Sequence, residues 1–424
     1  MIEYSLFFLI STAMLLFVML IFKSDPLHPV KLVYIYWYIL LQTNIILSYV
    51  FNLYFYWSGM LPIVVFFLSF FFGALTIKFY AKSKVNAKSK VNAKITSVIE
   101  IFSFKKAKKI IILFSFFGFL GIILQVVSAG FSITDIFTDI MMVASSMSLL
   151  RYAELLNIPK YVMVLNAYIY SGMFLSGVFW GDSINKKEKL ILSLPILVSI
   201  LNAFVNGARA GLFMGLFMFF STLISVLIFK NKTINPMILV KVALGLLSFI
   251  IIIMFSVQLA RIGRFDIDYA ATTEGLLSHF FGFYNTYSIW WNNQYDFSHL
   301  YLGKYTFSSI YNIFFHEREI GLFSEAVDIS PSHASNIYTI LRPIIEDFSL
   351  SGGMIIFYLV GISSSFIYYQ HTNPIFKIWG NSIFITILAW SLATSILTYN
   401  VIIYAVITNL VVLYYIKRKN DVKI

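Results

Sequence analysis

Apolar residues run along this chain in blocks of about 17 to 23, and the polar residues fall in the gaps between them. A helix rises 1.5 Å per residue, so about 20 mostly apolar residues cross a hydrocarbon core. On that measure the pattern predicts about eleven spans, near 4–22, 33–55, 61–79, 110–129, 162–180, 190–206, 211–229, 237–257, 352–369, 379–397 and 400–416. Residues 1–424 therefore read as a single all-α polytopic membrane domain. One long stretch, 258–351, holds no convincing span, and most of the chain's chemically interesting residues lie in it.

Composition agrees. Hydrophobic residues make up 59%, charged residues 12%, and mean hydropathy is +0.84, which excludes a soluble protein. No basic region precedes the first apolar run, so no cleavable signal is expected. There is no cysteine, which removes disulfides and thiol chemistry.

Charge orients the spans. Lysine and arginine collect on the cytoplasmic side of membrane helices. The loop 81–109 carries a tandem Ala-Lys-Ser-Lys-Val-Asn repeat and then Lys105, Lys106, Lys108 and Lys109, so it is expected to be cytoplasmic. Attraction to membrane phospholipid accounts for its charge. Alternation then places 23 of the 31 basic residues inside, and puts 130–161 and 258–351 outside. Within that split the two cations separate. Of seven arginines, Arg151, Arg209, Arg261, Arg264, Arg318 and Arg342 are outside, whereas 22 of 24 lysines are inside. Insertion treats the two alike, but a guanidinium grips phosphate or carboxylate through two hydrogen bonds and an ammonium does not. The segregation points to an anionic ligand at the outer surface, because the outer face also carries 14 of the 19 acids and is not simply basic.

Individual positions refine this. Gln42 and Asn44, inside the second span, read as packing amides that bond a neighbouring helix. His28, between Pro26 and Pro29, reads as a surface residue. Apolar periodicity over 140–156 predicts an amphipathic helix on the membrane, with Arg151 and Glu154 spaced as an i,i+3 pair. Asn206-Gly207-Ala208-Arg209-Ala210-Gly211 reads as a tight hairpin that holds Arg209 at the membrane edge. The aromatic run Phe280, Phe281, Phe283, Tyr284, Tyr287, Trp290 and Trp291 is expected to lie in the interface, with stacking on sugar faces as an alternative. Asp266-Ile-Asp268 matches the metal motif of many sugar transferases only superficially, and no acidic partner accompanies it. No metal and no cofactor are expected. The sharpest cluster is His333, Asn336, Tyr338, Arg342, Glu346 and Asp347, leading into Gly352-Gly353 and another apolar span. If that segment is helical, Asn336 shares the face of His333.

The small-residue-flanked Arg209 between two spans, the long late outer loop and the closing His333, Asn336, Arg342, Asp347, Gly352 pattern together resemble the O-antigen (oligosaccharide repeat-unit) polymerases of the Wzy type. These stand with the O-antigen ligases among C-type membrane glycosyltransferases. An Arg-to-Gly spacing of the family recurs as Arg264 with Gly275 and Arg342 with Gly353, while the late acid stands as Asp347-Phe-Ser rather than directly before glycine.

The resemblance implies an inverting, metal-independent transfer on the outer face of a bacterial cytoplasmic membrane. Donor and acceptor are both undecaprenyl-pyrophosphate-linked oligosaccharides; membrane lipid and a chain-length regulator protein are the other partners, and nucleic acid is not. The leaving pyrophosphate needs preorganised donors, for which Arg209, Arg261, Arg264 and Arg342 are the candidates. The attacking hydroxyl needs a general base. His333 comes first, since imidazole suits neutral pH, and Asp347 and Glu346 are its rivals or its orienting partners. Asn336, Tyr338 and Arg151 are candidates for substrate binding. Two alternatives stand beside this reading: an O-antigen ligase, which differs in acceptor, and a lipid-linked oligosaccharide flippase or other transporter. A transporter would place its polar site at the bilayer midplane, within internal repeats.

Overall fold

A computed structural model describes residues 2–23, 25, 27–85, 97–153, 155–156, 158–182, 185–230, 252–262, 268–293, 295, 299–315, 323, 325–370 and 373–418. The Lys-rich repeat after residue 85, the first part of the expected 237–257 span, and Glu154, Arg264, Asp266, His316 and Arg318 lie outside these residues. Among the described residues eight helices are long and apolar enough to cross a membrane, within 3–21, 29–50, 57–80, 104–128, 160–180, 186–205, 209–229 and 341–369. Shorter apolar helices cover 252–262, 374–390 and 400–416. The chain is an all-α polytopic membrane protein.

It divides into two compact units. The first comprises Met1–Val91, Asp268–His371 and Ile387–Tyr399. It contains α1 (Ile2–Ile21), α2 (Pro29–Val50), α3 (Met60–Val85), α11 (Tyr269–Phe281), α12 (Phe283–Asn293), α13 (Ser308–Phe315), a two-stranded hairpin of β1 (Val327–Asp328) and β2 (Ala334–Ser335), and α14 (Leu341–Tyr369). Among the described residues α3 packs closely on α14. A methyl group at Gly73 would overlap the Tyr358 carbonyl, and one at Gly361 the Phe70 carbonyl, so glycine on both helices is what lets the two backbones touch. Ser349 interrupts α14 with φ 62° and ψ 178°, which separates a first segment carrying Arg342, Glu346 and Asp347 from the apolar one that packs on α3.

The amides of α2 bond neighbouring helices, as expected. Gln42 donates to Ser11 Oγ at 2.8 Å. Asn44 donates to Asn285 Oδ1 at 2.6 Å and to the Phe281 carbonyl at 2.5 Å, and Asn285 donates to the Tyr54 carbonyl at 2.8 Å. These bonds pull α12 into the unit. Every residue from Phe283 to Trp290 is buried, and Ser288 sits against Gly59. Within the aromatic run Phe283, Tyr284, Tyr287 and Trp290 supply core, while Phe281 and Trp291 are half-buried; Tyr284 and Tyr287 are fully buried, and burial pushes both phenols well up.

His28 also departs from expectation. It is fully buried, not a surface residue. Its Nδ1 accepts from the Val30 N–H at 3.3 Å and caps α2. Its ring packs 4.2 Å from that of Phe22 and 4.8 Å from that of Tyr368. Burial, followed by the charges of Lys78 and Lys31, pushes the imidazole down to about 3.

The second unit comprises Asn92–Ile267, Thr372–Thr386 and Asn400–Ile424. It contains α4 (Phe104–Ser128), α5 (Ile133–Thr138), α6 (Ile140–Tyr152), α7 (Lys160–Trp180), α8 (Lys186–Val205), α9 (Arg209–Phe229), α10 (Ile252–Ile262), most of α15 (Pro374–Trp390) and α16 (Asn400–Ile416). An amide ladder threads its spans: Asn166 donates to Gln125 at 2.9 Å, Gln125 to Asn206 at 2.8 Å, and Asn206 to Asn202 at 2.7 Å. Beyond the far end of α7, Asp182 accepts from Lys230, from Ser97 Oγ at 2.9 Å and from the Val98 N–H at 2.5 Å. Burial works against this carboxylate, but the three donors and the Lys230 charge outweigh it and hold the group below its ordinary value.

Candidate functional site

The predicted residues fall in both units. Arg151, Arg209, Arg261 and Arg264 belong to the second unit by position, and Arg264 is outside the described residues. His333, Asn336, Tyr338, Arg342, Glu346 and Asp347 all belong to the first.

In the second unit the Asn206–Gly211 segment forms the expected hairpin. Gly207 takes φ 55°, a left-handed turn that glycine enters without a Cβ penalty, and Arg209 starts α9 half-buried. Arg151 ends the predicted amphipathic helix. Its Nη1 donates to the Asn206 carbonyl at 3.3 Å and its Nη2 to the Gly207 carbonyl at 3.4 Å. Arg151 thus braces the hairpin that presents Arg209, by satisfying carbonyls left open at the end of α8. Arg261, on the last turn of α10, is half-buried.

In the first unit Arg342 is the centre. It lies one residue into α14, and Thr339 Oγ1 accepts from the Leu341 N–H at 3.2 Å to shape the helix start. The guanidinium is boxed by aromatic faces: Phe323 at 3.9 Å, Tyr338 at 4.0 Å and Trp290 at 5.2 Å from its central carbon. A planar cation suits such a box, and an ammonium would not fill it. Nε donates to Glu346 Oε1 at 2.9 Å, the i+4 position, and Glu346 also receives a hydrogen bond from the Trp290 side chain. Among the described residues Nη1 is buried without a hydrogen-bond partner. Burial pushes the Tyr338 phenol up against the opposing pull of Arg342, so this ring stays neutral; its hydroxyl donates to the Glu325 carbonyl at 3.2 Å.

Asp347 is committed elsewhere. Its Oδ1 accepts from the Tyr305 N–H at 3.1 Å and its Oδ2 from the Thr306 N–H at 2.5 Å. Leu302 at φ 49° and Gly303 at φ 95° turn the chain so that these N–H groups converge on one concavity for a negative charge. The carboxylate is fully buried and fastens the 301–307 turn to the head of α14.

His333 lies at the tip of the β1–β2 hairpin rather than on a helix, so Asn336, exposed on the irregular stretch after β2, does not share a helix face with it. Ser332 Oγ is 2.8 Å and Ser330 Oγ 3.2 Å from its Nδ1, and Nε2 is 3.9 Å from Glu274 Oε1. Glu274, on α11, and Phe323 were not singled out from sequence. Each is distant along the chain from its partner, and neither sits in a motif. Comparison with known protein families, characterised proteins and solved structures yields no match for this chain.

Proposed function

We propose that this protein is a membrane glycosyltransferase that polymerises undecaprenyl-pyrophosphate-linked oligosaccharide repeat units at the outer face of a bacterial cytoplasmic membrane. The observation that carries the reading is Arg342: a boxed guanidinium at the head of a membrane helix, its Nε tied to Glu346 and its Nη1 buried without a partner among the described residues. Buried donors are normally satisfied, so an open one is a place for an anionic oxygen to bind.

In this reading His333 takes the proton of the acceptor hydroxyl. The acceptor oxygen forms its bond to the anomeric carbon of the donor, and the bond from that carbon to the pyrophosphate oxygen breaks on the opposite face. Pyrophosphate leaves with the electron pair, and Arg342 meets the developing charge. Glu346 aims the guanidinium. Asp347, with both oxygens held by backbone N–H groups, holds the segment in place and leaves the base role to His333. Tyr338 forms a wall of the arginine box, and Asn336 is placed to bind sugar. The assignment of Arg209, Arg261 and Arg264 to pyrophosphate, of Arg151 to substrate, and of a chain-length regulator as partner rests on the sequence.

The test is reconstitution of the full chain in lipid vesicles with purified lipid-linked repeat unit. The expected product is a ladder of longer glycans, abolished in Arg342→Ala and slowed at least a hundredfold in His333→Gln. Glycan transferred only to a different lipid acceptor identifies a ligase. Substrate moved across the bilayer without lengthening identifies a flippase.

A further inference from the structure

We infer that Glu274 is the positioning residue for His333, and that Nδ1 is the ring nitrogen that receives the acceptor proton. The inference rests on the glycosyl-transfer reading above and names the partner that reading lacks.

The hairpin tip fixes the imidazole by its surroundings. Ser330 Oγ accepts from the Ser332 N–H at 3.3 Å and from the His333 N–H at 3.0 Å. The His333 carbonyl accepts from the N–H groups of Ile329 at 2.8 Å and Ser330 at 3.1 Å. Backbone and hydroxyl therefore lock the turn on both sides of the ring. Both serine hydroxyls then converge on Nδ1, at 2.8 and 3.2 Å. The two lone pairs of Ser330 Oγ face backbone N–H groups, so its proton goes either to Nδ1 at 3.2 Å or to Ser332 Oγ at 3.4 Å, and in the second case Ser332 passes its own proton toward Nδ1 at 2.8 Å. Nδ1 is thus the acceptor, and in a neutral imidazole the proton sits on Nε2. Nε2 lies 3.9 Å from Oε1 of Glu274, an ion-pair distance to a partly exposed carboxylate. The other acid of the hairpin is Asp328, opposite Ala334 on the paired strand.

Carboxylate, imidazole and hydroxyl therefore follow one another in contact order: Glu274, Nε2–H, Nδ1, Ser332 Oγ. An acid behind an imidazole holds its tautomer and stabilises the imidazolium that forms when the front nitrogen accepts a proton. Ser332 is exposed, so its hydroxyl is displaceable. It marks the place a sugar hydroxyl takes: the acceptor O–H proton passes to Nδ1 as the acceptor oxygen bonds to the anomeric carbon. Glu274 touches neither substrate nor reacting atoms and acts only through His333.

The experiment has two arms on the full chain in lipid nanodiscs, with His333 assigned by His333→Gln. In the first, ¹⁵N spectra of histidine-labelled protein report the tautomer without any substrate. The wild type is expected to show a bare Nδ1 and a protonated Nε2, Glu274→Ala to shift a substantial fraction to the other tautomer, and Glu274→Gln, whose amide oxygen keeps a negative dipole on the Nε2 side of the ring, to restore the wild-type form. In the second, Glu274→Ala is expected to lower kcat about tenfold with KM unchanged, and Glu274→Gln to regain at least half of the loss. A His333 spectrum unchanged in Glu274→Ala overturns the inference whatever the glycan assay shows. Absence of any glycan ladder from the wild type, with the tautomer shift present, overturns the glycosyl-transfer reading instead.

Discussion

In α14 the Nε of Arg342 donates to Oε1 of Glu346 at 2.9 Å, while Nη1 of the same guanidinium is buried with no partner among the described residues. One side of the fork is spent on orientation and the other is left open. Arg342→Lys keeps the charge but loses the flat face against Phe323 and Tyr338. We expect it to cost about 1–2 kcal/mol of stability, from cation–π contacts in a desolvated box, and to slow ladder synthesis at least tenfold. Thermal unfolding of purified protein and initial rates in vesicles check this. A lysine variant that polymerises at the wild-type rate makes Arg342 a packing residue only.

Asp347→Asn tests the division of labour between the late acids. The aspartate accepts two backbone N–H groups, one on each oxygen. An asparagine keeps one acceptor and turns an NH2 toward the other N–H, so a buried donor goes unsatisfied. The expected loss is about 2–4 kcal/mol of stability, with the rate per folded molecule largely kept. An inactive variant of unchanged thermal stability would show instead that the carboxylate, not His333, is the base.

How far the sequence reaches depends on what each feature leaves in it. Long spans are legible because length and hydropathy set them locally, and the hairpin at Gly207 is legible because glycine beside Arg209 admits few other readings. α12 is not. A short buried helix rich in Tyr and Trp has the composition of an interfacial belt, and it is drawn inside by bonds to residues far away in sequence, Asn44 to Asn285 and Asn285 to the Tyr54 carbonyl among them. His28 misleads for a related reason: two flanking prolines read as an exposed turn, whereas Phe22, Tyr368 and Tyr369 close over the ring from two other segments. In the candidate site, Arg342 and Glu346 could be paired by their i,i+4 spacing. The aromatic box and Glu274 behind His333 come from the tertiary fold.

His28 should make the protein sensitive to mild acid. Its imidazole is held at about 3 in the folded state and titrates near 6.5 when unfolded. Between these values the unfolded state binds the extra proton, so stability rises with pH across that window and falls as pH drops below about 6.5. From pH 7 to pH 5 the loss from this group is about 2 kcal/mol. Asparagine can cap α2 through the same Val30 N–H but does not titrate. We therefore expect His28→Asn to flatten the fall in melting temperature between pH 7 and 5 relative to wild type. An equal fall in both proteins would mean that water reaches this ring.

A single charge change at the Asp182–Lys230 pair should cost the second unit much of its stability. Both side chains are almost fully buried, with 9% and 3% of their surface exposed, and the carboxylate also holds Ser97 and the Val98 N–H ahead of α4. Removing one partner from a buried pair strands the other charge, at a cost of about 3–5 kcal/mol. Lys230→Met should show that cost, because it leaves a carboxylate with only neutral donors. Asp182→Asn keeps a hydrogen-bond acceptor for Val98 but strands the ammonium. The double variant removes both charges and should be less damaged than the sum of the two, so a cycle on thermal stability will show strong coupling. Since the folded carboxyl lies below its ordinary value, the pair stabilises above about pH 4 and its contribution is lost as pH falls through the folded value. Asp182→Asn should therefore remove acid sensitivity in a lower window than His28→Asn does. Additive single variants, or an acid profile unchanged by Asp182→Asn, would show that the two charges are solvated separately rather than paired.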